Sequence, residues 1–204
     1  MEHQEHHEQG HHGSWGTFFA MIATATVVMF FLMYQLVYAD EHLFFSINRA
    51  VSSLVSGAVM TMIMLAFMWK MYGPKNVKVM VMVAAAVAAV GILWLNRSQT
   101  LIGDSEFMES MIPHHSIAIN NARKSSISDP RVRKLADEII EAQVKEIAQM
   151  ELLLEDIQTN GERGNGDAMP PRTAELTPEL FNEAKEAIER PLTDEAREEV
   201  EVSQ

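Results

Sequence analysis

The chain has 204 residues, no cysteine, and 28 acidic against 16 basic side chains, giving a formal net charge of −12. The lack of cysteine excludes disulfides, thiolate metal sites and cysteine nucleophiles, and leaves histidine, carboxylate and methionine as the available ligands. The acidity gathers after Asp104, so there is no basic face for phosphate and nucleic acid is not an expected partner.

The first segment, residues 1–16, opens MEHQEHHEQGHHG, with five histidines in twelve residues. A tract of this composition is expected to chelate Cu, Ni or Zn loosely. Three apolar runs follow, Thr17–Ala39, Ala50–Trp69 and Val77–Leu95, and only Lys78, near one edge, is charged. About 20 apolar residues cross a hydrocarbon core of roughly 30 Å, so all three are expected to span a membrane. The first run is too long for a signal-peptide core and no Lys or Arg precedes it. Met60, Met64, Met68 and Met71 make a line down one face of the second run, and helix packing is the expected reason.

Trp15, Trp69 and Tyr72 fall at one set of helix ends, and Tyr34, Tyr38 and Trp94 at the other, as interfacial aromatics do. Lys70, Lys75 and Lys78 flank the Tyr72-Gly73-Pro74 turn, while the opposite side offers Arg49 and Arg97. Basic residues favour the inner face, so the N-terminus is expected in the cytoplasm and everything after Leu95 outside it.

Beyond the spans, Asp104 can cap a helix running to about Lys124, with Glu106 in its first turn. Asp129-Pro130 restarts a helix that should reach about Gln158 before Asn160-Gly161 stops it. A short connector between two long helices makes an antiparallel hairpin. Residues 159–173, rich in Gly, Asn and Pro, form a linker, and Thr177-Pro178-Glu179 could start a further helix in an acidic tail best read as solvated.

The second hairpin helix carries a stripe at steps of three and four: Val132, Leu135, Ile139, Gln143, Glu146, Met150, Leu154, Ile157. Gln143 and Glu146 interrupt it, so a polar partner is expected on the facing helix. That helix offers Phe107, Met111, His114 or His115, Ala118 and Ala122, of which only one histidine can point straight into the seam. Met108, Met111 and His115 share a face, and Pro113 should kink the helix there. Thioether with imidazole suits Cu(I), and Cu(II) where carboxylate and imidazole dominate. The rival reading is packing alone, in a membrane scaffold or interaction protein that binds no metal.

Met111-Ile112-Pro113-His114-His115, then Ala118-Ile119, and downstream Leu135-Ala136, Ile139-Ile140, Ala142-Gln143, Glu146-Ile147 and Met150 resemble the DUF305 family. The resemblance implies a ferritin-like helical domain related to periplasmic copper-binding proteins of the CopM type. It implicates Met108, Met111, His114, His115 and Met150 as metal-site residues, with Glu146 and Gln143 in supporting positions. A ferritin-like di-iron site needs Glu-x-x-His on two helices, and Met111 and Ile112 stand where those glutamates would be. No catalytic triad, phosphate loop or zinc-protease motif occurs, so no enzyme activity is expected.

The sequence thus predicts an all-α protein: three transmembrane helices followed by an antiparallel hairpin or bundle over 104–158. Two helices bury little core by themselves, so the hairpin is expected to pair with a second copy as a four-helix bundle or to dock against the C-terminal helices.

Overall fold

The structure, a computed structural model, describes residues 13–164 and 166–189. Six α-helices appear in it: α1 Trp15–Leu32, α2 Ile47–Phe67, α3 Lys75–Ser98, α4 Asp104–Lys124, α5 Pro130–Asn160 and α6 Pro178–Glu189. A 3-10 turn at Asp40–His42 lies between α1 and α2, and no strand occurs among the described residues. The His-rich start lies outside the described residues, as does the end of the acidic tail.

The helices α1, α2 and α3 are each long and apolar enough to cross a membrane. The first ends at Leu32 rather than at the expected Ala39. Beyond Leu32 the apolar character continues but the chain turns, because Tyr34 is recruited to the start of α2. Its hydroxyl accepts the Ser46 N–H at 3.0 Å, and the Arg49 guanidinium lies 4.2 Å above its ring. Ser46 is buried and caps α2 by accepting the Arg49 N–H at 3.3 Å.

α2 is the central span, packed on α1 to one side and α3 to the other. Its buried positions include Ser53, Gly57 and Thr61, a small residue every four that lets the backbones approach. A Cβ at Gly57 would stand 2.3 Å from Thr26 Oγ1 on α1. The predicted methionine line is only partly helical, because α2 ends at Phe67: Met60 and Met64 on α2 and Met68 just beyond it pack around Phe18, Leu65 and Tyr72, while Met71 stays exposed in the following turn.

Both expected aromatic groups form. At one end the Trp15 and Tyr72 rings lie 5.1 Å apart, Gly13 N–H donates to the Met71 carbonyl, and Lys78 Nζ donates to the Trp69 carbonyl at 2.8 Å. Tyr34 and Tyr38 lie at the other end, where the chain enters α4 through the short segment 99–103.

α4 and α5 form the antiparallel hairpin, and α4 runs unbroken through Pro113. Its first residue is Asp104, so the cap is the backbone of Gly103, whose N–H donates to Glu106 Oε2 at 3.0 Å. Asp129 caps α5 as expected, with Pro130 behind it, and Gly161 ends the helix at φ 79°.

The seam matches the predicted one at Met150, Leu154 and Ile157, and is rotated from it toward the hairpin tip. Its core is Met108, Ile112, Ile119, Ile147, Met150 and Leu154, with Met111, Ile140 and Ile157 against it. Phe107 is exposed, as are Val132, Leu135 and Ile139, which the stripe had placed inside. At the hairpin tip Arg133 Nη1 donates to the Ala122 carbonyl at 3.0 Å, and there the face carrying Ala136 and Ile140 turns inward while Val132 and Leu135 turn out.

Within the chain, the hairpin docks on a segment other than the C-terminal helix. α6 has no buried residue, so it covers nothing among the described residues. Instead the loop between α1 and α2 lies against α4. Tyr38 N–H donates to Ser116 Oγ at 2.8 Å, His42 Nδ1 sits 2.9 Å from the same oxygen, and Arg123 bonds the Tyr38 hydroxyl. Ser116 is fully buried beneath this loop, and Phe44 inserts against the hairpin core.

Candidate functional site

The two faces of α4 divide the work: Met108, Ile112, His115 and Ile119 meet α5, while Ser116 meets the membrane-side loop. Of the two adjacent histidines, His115 therefore points into the seam and is buried. His114 is exposed, its ring centroid 5.9 Å from that of His115, and it takes no part in the core.

His115 is held at both ring nitrogens. Nδ1 lies 2.8 Å from the Met111 carbonyl oxygen, one turn back, and Nε2 lies 2.7 Å from Glu146 Oε2 on α5. A carbonyl oxygen can only accept, so Nδ1 is the donor toward Met111. Glu146 thereby gains the polar partner that its place in the apolar stripe demanded. Its side chain is 49% exposed against 11% for His115, so the pair stands at the edge of the seam with the carboxylate outward. Gln143 Nε2 is 3.5 Å from the same Oε2, a long contact that orients the carboxylate rather than binding it firmly.

Beside this pair, the structure brings Met108, Met111 and Met150 into one cluster drawn from both helices. Met108 and Met150 are buried and Met111 partly so. Of the six predicted residues, Met108, Met111 and Met150 thus lie in the apolar core shared by α4 and α5, His115 and Glu146 pair with each other, and His114 stands apart. Among the described residues, no three or more His, Asp or Glu side chains converge as a metal-holding group.

Sequence reasoning missed the loop residues that position this site. Tyr38, His42 and Phe44 reach α4 from 74 or more residues away along the chain for the two hydrogen-bonded pairs. The available signal was Phe44 and Phe45, apolar residues in what looked like a polar connection between two spans.

Three apolar helices followed by a helical hairpin domain define the class: an all-helical protein with a membrane-type N-terminal half. Residues 102–198, which take in α4, α5 and α6, match the family model DUF305, a domain of unknown function. An uncharacterized protein of Acanthamoeba polyphaga mimivirus is 37% identical over 67 residues, 32% of this chain. The matched region is 44% of that protein's length, so the chain spans less than half of the curated relative. No solved structure matches.

Proposed function

We propose that the protein is a multi-pass membrane protein whose DUF305 domain binds copper as Cu(I), outside the cytoplasm of a bacterial cell, for sequestration or tolerance. The observation that carries the reading is the meeting of Met108, Met111 and Met150, from two helices, in one core, with the His115 ring bonded to the Met111 carbonyl. Thioether sulfur is soft and carries no proton, which suits Cu(I) over Zn(II) or Mg(II). His115 would join as a ligand once Nε2 gives up its contact to Glu146, and the exposed carboxylate is free to swing aside. His114 supplies nothing to this site. The chain then acts as a binding protein rather than an enzyme, with lipid and metal as its partners and no nucleic acid.

The orientation rests on the three lysines around the α2–α3 turn, which place residues 1–12 inside and the hairpin outside. A reporter active only outside the cytoplasm, fused after Ile157, is expected to give signal, and silence reverses the orientation.

The metal test uses full-length protein with His3, His6, His7, His11 and His12 replaced by Ala, so that the tail does not mask the hairpin. Met108→Leu, Met111→Leu and Met150→Leu keep side-chain volume while removing sulfur, so the core should fold unchanged. Each is expected to weaken Cu(I) binding by at least about tenfold, equivalent to about 1.4 kcal/mol. Equal affinity in all four proteins would leave the methionines as packing and favour the scaffold reading.

A further inference from the structure

The loop that docks on the hairpin also builds a groove. Phe30, Phe31 and Tyr34 of the α1 end form one wall, and Leu43, Phe44 and Phe45 the other, enclosing about 460 Å³. That volume lies within the roughly 300–1,000 Å³ range of small-molecule sites. Gln35 is the one amide on the lining, and no charged side chain belongs to it. Ring contacts brace the walls: the Phe30 centroid lies 5.5 Å from that of Tyr34 and 5.8 Å from that of Phe45.

Phe31 is 67% exposed and Phe45 60% exposed, so the groove opens outward. Its α1 wall continues the apolar surface of Val27, Val28 and Phe31, the side of the span turned away from α2 and α3. An exposed aromatic trough in water would be an aggregation liability. At the end of a span, continuous with a lipid-facing surface, it is a place for hydrocarbon. A protein helix docking here would meet no polar rim to fix its register, since charged residues are missing from both walls.

We infer that this groove holds one acyl chain of a bilayer glycerophospholipid, so that the DUF305 hairpin rests on a lipid-filled seat. The inference stands on the reading of α1, α2 and α3 as membrane spans. Phe44 gives it reach: the same side chain that lines the groove packs against the core around Met108, Ile112 and Met150. Filling the groove therefore fixes one wall of the methionine cluster, and emptying it leaves Phe44 backed by nothing.

The experiment uses the full chain in phosphatidylcholine vesicles doped with phosphatidylcholine bearing a mid-chain diazirine. After illumination, lipid adducts are mapped by peptide mass spectrometry. The wild-type chain is expected to carry adducts on residues 30–45 in excess of those on the exposed face of α3, at Val83, Val87 and Val90. Leu43→Trp fills the groove from the loop and Gln35→Trp fills it from the α1 side. Each should abolish the adducts on 30–45 while leaving those on α3 in place, and unchanged helicity by circular dichroism confirms that the variant folds. Adducts on 30–45 that match the α3 level, or that persist in both tryptophan variants, overturn the inference. A chain with no adduct on α3 overturns the membrane reading along with it, and the two failures are told apart by that internal control.

Discussion

Asp129 shows what a single side chain contributes. Its carboxylate accepts the Arg131 N–H at 2.9 Å and pairs with the Arg131 guanidinium at 2.7 Å, at the first turn of α5. Hydrogen bonds from the Arg131 side chain first, and from its backbone next, hold the carboxyl down from 3.8 to about 2. A carboxylate whose folded value lies below its unfolded value stabilises fully above the unfolded one and loses that contribution as the pH falls through the folded one. Asp129→Ala should therefore lower the melting temperature at neutral pH, and the gap to wild type should close between about 4 and about 2. Helical signal during thermal melting in detergent, taken at stepped pH, measures it, and a gap independent of pH would contradict it. The cap was legible in the sequence because it is local: Asp-Pro fixes both the side-chain acceptor and the φ angle within two residues. The choice between His114 and His115 was not. Neighbours lie only about 100° apart on a helix, and the choice was settled by Glu146, 31 residues onward.

At the scale of helices, the span α2 is read by its small residues. Gly57 lets Thr26 of α1 come within reach, and Thr26 Oγ1 is held by its own bond to the Ile22 carbonyl at 2.8 Å. Gly57→Ala should cost about 1–3 kcal/mol by overpacking. Adding Thr26→Ala should recover most of it, since the clashing oxygen is gone. Unfolding of the four proteins in a mixed-micelle titration gives the coupling, and additive effects would place the clash elsewhere. The spans themselves were plain in the sequence, because length and hydropathy are summed over many residues. The helix ends were less so. Nothing local in Met33-Tyr34-Gln35 ends a helix, and α1 stops at Leu32 through the Tyr34 contacts to Ser46 and Arg49. The rotation of α5 near the hairpin tip was hidden for the same reason, because it depends on how α5 meets α4 and not on the stripe of α5 alone.

Across the whole molecule, the two halves are joined at Ser116. This hydroxyl is the acceptor for Tyr38 N–H and lies beside His42 Nδ1, in a spot closed to water. Ser116→Ala should leave a buried donor unsatisfied, at a cost of about 1–3 kcal/mol. Faster amide hydrogen exchange across residues 36–45, with α5 unchanged, is the expected readout, and unaltered exchange in the loop would show that Phe44 alone holds it down. Phe44 and Phe45 hinted that the loop packs on something, but not on what, since that depends on where α3 delivers α4. That delivery is tight: only residues 99–103 separate the two helices, and the Ser116 contacts brace the junction from the other side. The hairpin is therefore a lever about 30 Å long, rooted in the spans rather than swinging from a tether. A fluorophore on its tip should tumble at the slow rate of the membrane helices, and any tilt of those helices should sweep the tip sideways through an arc.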